Sequence, residues 1–184
     1  MALVDTVQQH LGPAEVNQIS QQLGVDPAVA QSAISAALPM ILGGMARHAS
    51  QPDGAGAVQQ AIGAHGGMAD DLASVLQAGS PADGGGIGGL LGSIFGSHGD
   101  SVHQGVQQAS GLDQDKTRRL LAMLTPIVLG ILARHRFGGQ SAPQIDPGQL
   151  SGTLNQEARA AEKQAPHVGG LLGKILGAVE SPRA

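Results

Sequence analysis

Two stretches of the chain are apolar almost all the way round a helical wheel, Ala36 to Ala46 and Leu120 to Ala133, while the rest mixes apolar and polar positions at helical spacing or is rich in glycine. A helix without a polar face belongs in an interior, so these runs are predicted to be the two central helices. Pro39 and Pro126 sit in their middles, where a missing amide and a clash with the carbonyl four residues back predict a kink or break. A short amphipathic helix leads into each, Ala14 to Leu23 and Val102 to Ala109, with Gly24 and Gly111 placed as C-caps. Asp26 and Asp113 follow as N-caps, and Pro27 suits the first helical position. Weaker patterns predict helices over Ala55 to Ile62, Met68 to Gln77 and Gly148 to Gln164. A glycine-rich linker spans residues 80–88 and a loop runs from Gly138 to Pro147.

The two halves repeat one another. Shifting residues 24–48 by 87 positions onto 111–135 needs no gap and aligns eight identities in 25 positions, among them Gly24 with Gly111, Asp26 with Asp113, Pro39 with Pro126 and Gly43 with Gly130. Ala46, Arg47 and His48 then meet Ala133, Arg134 and His135. Downstream, GGLLGSIFG at 88–96 returns as GGLLGKILG at 169–177, identical at seven of nine positions. An all-α fold built from a duplicated helical unit follows, with one repeat over 1–96 and the other over 97–184. Glycine inside an apolar helix is costly unless something must come close, so Gly43 and Gly130 are predicted to mark a close crossing of the central helices.

Composition agrees with helices. Trp, Tyr and Cys are absent and Phe occurs only at Phe95 and Phe137, so Ala, Leu, Ile, Val and Met must fill the interior, a poor set for a sheet core. A net charge of -4 with 13% charged residues supplies no cationic field for a polyanion, and no aromatic platform exists for single strands, so nucleic acid is not an expected partner. Without cysteine there are no disulfides and no thiolate metal sites. The opening MALVDTVQQHLG lacks a basic n-region and the apolar runs are shorter than the ~20 residues that cross a bilayer, so a cytoplasmic protein is expected.

Candidate chemistry is sparse. His48 and His135 each follow an arginine at the end of a central helix, where cations oppose the negative end of the helix dipole, and no histidine pair stands at the i, i+4 spacing of a metal-binding helix. No serine lies in a nucleophile elbow, and Asp70 and Asp71 suit an ordinary first turn. The glycine string 84–92 lacks the lysine and hydroxyl ending of a phosphate loop. No catalytic, cofactor-binding or metal-binding residue is therefore assigned, and an enzyme is not expected. In GGLLGSIFG, Leu90, Leu91, Ile94 and Phe95 share one helical face; Leu171, Leu172, Ile175 and Leu176 do so in GGLLGKILG. Such short apolar helices need a surface to lie on. The core is the first candidate and a protein partner the alternative, whereas Lys174 as the one basic residue of the pair argues against a membrane interface.

The combination of LGVDP before AALPMILGGMARHAS, the glycine-rich GGLLGSIFG, and SGLDQDKTRRLLAMLTPIVLGILAR resembles the bacterial domain-of-unknown-function family 937, related to YidB-like proteins. The resemblance implies an all-helical bacterial protein and supplies no activity. Two functional expectations stand. One is a non-enzymatic interaction or scaffolding protein that self-associates or binds a protein partner. The other is a binder of a small hydrophobic molecule or lipid between the central helices, lined by Met40, Ile41, Met45, Met123 and Ile127.

Overall fold

The computed structural model describes residues 3–51, 53–65, 86–138 and 145–164. In chain order the helices are α1 (Leu3–His10), α2 (Pro13–Leu23), α3 (Pro27–Ala49), α4 (Gly54–His65), α5 (Gly86–Phe95), α6 (Gly99–Ser110), α7 (Gln114–Phe137) and α8 (Pro147–Gln164), with one 3-10 turn at Gly96–His98 between α5 and α6. The fold is all-α, and no strand occurs among the described residues. The expected helix over Met68 to Gln77, most of the 80–88 linker and the second glycine motif lie outside them.

Local signals act where the chain carries them. Gly24 and Gly111 adopt left-handed φ values of 63° and 69°, and their amides return to Gln21 and Gln107 carbonyls, ending α2 and α6. Asp26 and Asp113 precede the long helices in extended conformation. Only Asp113 closes a side-chain cap, accepting from the Lys116 amide at 2.9 Å, so its carboxyl is held below the usual aspartate range by that bond first. At Asp26, Pro27 in the first turn serves instead, since an amide missing there costs nothing.

Neither proline breaks its helix. α3 and α7 run unbroken through Pro39 and Pro126 for 23 and 24 residues, against the expected break into two segments. Both prolines are buried, and the packing around the helix holds the turn that has lost one hydrogen bond. Thr125, buried just before Pro126, turns its hydroxyl onto the Leu121 carbonyl at 2.6 Å, so its polar group is satisfied inside the core.

One hydrophobic cluster joins all of this, from Leu3 and Ile19 through Met40, Leu42 and Met45 to Leu124, Ile127, Leu132 and Leu154. The packing joins helices far apart in the chain. α4 and α1 both lie on α7, and α8 and α5 both lie on α3. α3 packs more extensively on α8 than on α7, so the pair of long helices is not the main seam. Gly43 and Gly130 are both buried. The steric demand is visible one residue on, at Gly44, where a Cβ would stand 2.5 Å from Val102 Cγ2 and 2.8 Å from Phe95 Cδ1. In the sequence alignment of 24–48 with 111–135, Ile131 stands opposite Gly44.

A buried carboxylate ties three elements. Glu157, 3% exposed on α8, accepts the Leu3 amide at the start of α1 (2.7 Å) and pairs with Arg136 at the end of α7. The Leu3 amide is one of the donors that α1 cannot satisfy internally, and Arg136 sits where a helix favours a cation. Nearby, Gln164 Nε2 donates to Asp5 Oδ2 at 2.9 Å, a second link between α8 and α1.

Candidate functional site

A groove of about 720 Å³ runs along the outer face of the first half of α3. Ala28, Gln31, Ser32, Ser35, Ala36 and Pro39 form its floor at helical spacing. Its walls come from Val4 and Gln8 of α1, Ala109 of α6, and Ala161 and Gln164 of α8. Its described lining residues are uncharged, and their hydrogen-bonding groups are amides and hydroxyls. Val29, 39% exposed on the first turn of α3, is the one large exposed hydrophobic residue among those described.

The cavity expected between the central helices is not what the structure places there. Met40, Ile41, Met45 and Ile127 are wholly buried and Met123 nearly so, all within the continuous core, and none lines the groove. Both long helices continue through their prolines, and these side chains pack into the core. The groove touches the Pro39 region from the opposite, outward side.

The histidines fall into two local arrangements. His48, in the last turn of α3 beside Arg47, is clamped between two glycines: a Cβ on Gly54 would meet its carbonyl oxygen, and one on Gly96 would meet its ring at 2.6 Å. Gly96 also has a left-handed φ of 53°, so the site demands glycine twice over. The Nδ1 of His48 is buried without a hydrogen-bond partner among the described residues. His98 lies close by, its Nε2 3.1 Å from the Gln51 amide nitrogen. Burial, then the charges of Arg47 and His48, push the His98 imidazole below its ordinary value. At the corresponding end of α7, His135 meets the ring of His10 edge-on at 5.7 Å. The sequence places Arg47, His48, Arg134 and His135 at helix ends, and the structure agrees; it adds a second histidine to each. No group of three or more metal-ligating side chains forms among the described residues.

A smaller pocket of about 270 Å³ opens where α5, α6 and α7 meet, with Asp100, His103 and Arg118 around a floor of Leu91, Phe95 and Leu121. His103 Nε2 is engaged with the Gln114 carbonyl at 3.1 Å, a hydrogen bond that ties α6 to the start of α7. This pocket brings together charges that lie 18 residues apart and that no spacing rule singles out.

GGLLGSIFG belongs to the core. Ile94 and Phe95 are 0% and 1% exposed, and Leu91 packs partly against the same cluster. By length and composition α3 and α7 are also apolar enough to cross a membrane, a test that buried core helices pass equally; both are mostly buried inside this fold.

Set against curated proteins and solved structures, the chain finds no match in either. A family model, described as a bacterial protein of unknown function (DUF937), matches residues 5–135. That span begins inside α1 and ends at His135 near the end of α7, taking in all of α3, most of α7 and the left-handed caps at Gly24 and Gly111. The chain belongs to this bacterial family of unknown function, DUF937.

Proposed function

We propose that the protein is a non-enzymatic helical interaction or scaffolding protein, and that the open face of α3 is where a second copy of the chain or another protein seats. One observation carries this reading: between Asp26 and Arg47 the chain has no charged residue, although Ala28, Val29, Gln31 and Ser32 are exposed to water. Exposed helix faces ordinarily carry Lys, Glu, Arg or Asp, and loss of charge is the compositional mark of an interface centre. Near a two-fold axis any charge would face its own copy, so an uncharged face suits self-association especially well. The groove supplies concavity, and Val29 an exposed apolar side chain on the same helix.

Light scattering from micromolar to millimolar concentration tests this. The mass should rise from monomer toward dimer, and Ser32→Arg, which puts a charge at the centre of the face, should raise the midpoint at least tenfold, about 1.4 kcal/mol. A strict monomer at every concentration, or a folded Ser32→Arg protein that associates like the parent, would overturn the reading.

A further inference from the structure

We propose that the pocket between α5, α6 and α7 binds a small zwitterion with an apolar side chain, the chemistry of a free aliphatic or aromatic α-amino acid. It has no described lining residue in common with the α3 groove, so it stands apart from the interaction face. Its volume of about 270 Å³ falls just below the range of drug-sized sites, about 300 to 1,000 Å³, and suits a guest of metabolite size. The floor is apolar. Leu91 and Phe95 of α5 and Leu121 of α7 form it, and Phe95 and Leu121, each 1% exposed, are fixed by the core beneath. Gly92 also lines the pocket, and a Cβ there would meet nothing within 4 Å. Core packing therefore does not account for this glycine, whereas close approach of a guest to the backbone does.

Opposite charges stand around that floor. Asp100 lies in the first turn of α6 and Arg118 in the second turn of α7; both are exposed, and neither forms an ion pair with another described residue. A simple anion in the pocket would meet Asp100 and a simple cation would meet Arg118, whereas a molecule carrying both charges satisfies each. His103, three residues after Asp100 and on the same face of α6, completes the set. The Gln114 carbonyl can only accept, so His103 Nε2 donates to it, and the neutral ring keeps an acceptor at Nδ1. An ammonium with three donors is thus matched by Asp100 and His103 of α6, and a carboxylate by the planar fork of Arg118 on α7. The guest's side chain then lies on Leu91, Phe95 and Leu121, where burying carbon is favourable.

Ligand-observed NMR titrations of the full-length protein with L-leucine, L-isoleucine, L-methionine and L-phenylalanine, each in turn, test the assignment. At least one should bind saturably with a Kd below about 1 mM. For that amino acid, the analogue without the ammonium (4-methylpentanoate in the case of leucine) and the analogue without the carboxylate (3-methylbutylamine) should each bind at least tenfold more weakly, since each forfeits a charge-assisted hydrogen bond. Arg118→Gln and Asp100→Asn, both at exposed positions, should weaken the amino acid at least tenfold while their circular dichroism matches the parent. Ser32→Arg in the α3 groove should leave its binding unchanged. Absence of saturable binding by all four amino acids up to about 10 mM would overturn the proposal. So would a deaminated analogue that binds as tightly as the amino acid, which would leave Asp100 without a role, or unchanged binding in the folded Arg118→Gln and Asp100→Asn proteins, which would place the guest elsewhere.

Discussion

The Glu157 junction makes a prediction whose ordering runs against intuition about burial. Glu157 is almost fully buried, whereas Arg136 is 38% exposed, so water reaches the pair from the arginine side only. In Glu157→Gln the carboxamide oxygen still accepts from the Leu3 amide, the charge that needed compensation is gone, and Arg136 turns to solvent. The loss is that of one charge-assisted bond, about 1 to 2 kcal/mol. Arg136→Met instead leaves a buried carboxylate with the Leu3 amide at 2.7 Å. Breaking a fully buried pair costs about 3 to 5 kcal/mol, and solvent screening on the arginine side reduces that to about 2 to 3 kcal/mol here. The more exposed residue is thus the more damaging to remove. Because a neutral side chain at 157 makes no demand on Arg136, the double variant Arg136→Met/Glu157→Gln should be more stable than Arg136→Met alone. Urea denaturation of the four proteins at neutral pH measures the cycle, and hydrogen exchange at the start of α1 shows whether that helix loosens with it. Equal losses for the two single variants, or strictly additive losses in the double, would refute the account.

Two further outcomes follow from local geometry. Gly44→Ala should cost about 1 to 3 kcal/mol, since its Cβ would press on Val102 and the Phe95 ring, whereas Gly56→Ala, exposed on α4 with nothing within 4 Å, should gain up to ~1 kcal/mol; urea midpoints of opposite sign check the pair. His98 titrates below its ordinary value in the folded state, so the unfolded chain binds its proton first and stability falls as pH drops from 6.5 toward the folded value. That part of the acid dependence should vanish in His98→Gln, as thermal melting across pH 5 to 8 would show, and an unchanged profile would rule it out.

Much of the fold is legible along the chain because its determinants are local. A left-handed residue must be glycine, so Gly24 and Gly111 announce the ends of α2 and α6 without any tertiary contact. A run such as Leu120 to Ala133, apolar on every face, can only be interior. α1 escapes that reading: Leu3, Val4 and Val7 form its buried face, but eight residues with a polar remainder give too short a period to stand out. The prolines mislead for a related reason. Their intrinsic cost in a helix is fixed by the sequence, yet whether the helix ends there depends on the packing around it, and here both helices continue past the missing hydrogen bond inside the core.

What no periodicity contains is which surfaces meet. That α8 covers α3 while α4 covers α7, and that Glu157 finds the amide of Leu3 154 positions earlier, are consequences of long-range docking, since an isolated glutamate in an amphipathic helix reads as solvent-facing until another helix end arrives beside it. The groove has the same origin. Ala28, Ser32, Ser35 and Ala36 are unremarkable small residues in the sequence, and they become the floor of a concave face only because the ends of α1, α6 and α8 stop around them. Helix identity is written in short-range sterics and periodicity; the Glu157 junction and the groove arise from the relative placement of helices, where the free energy of burial is summed over residues far apart in the chain.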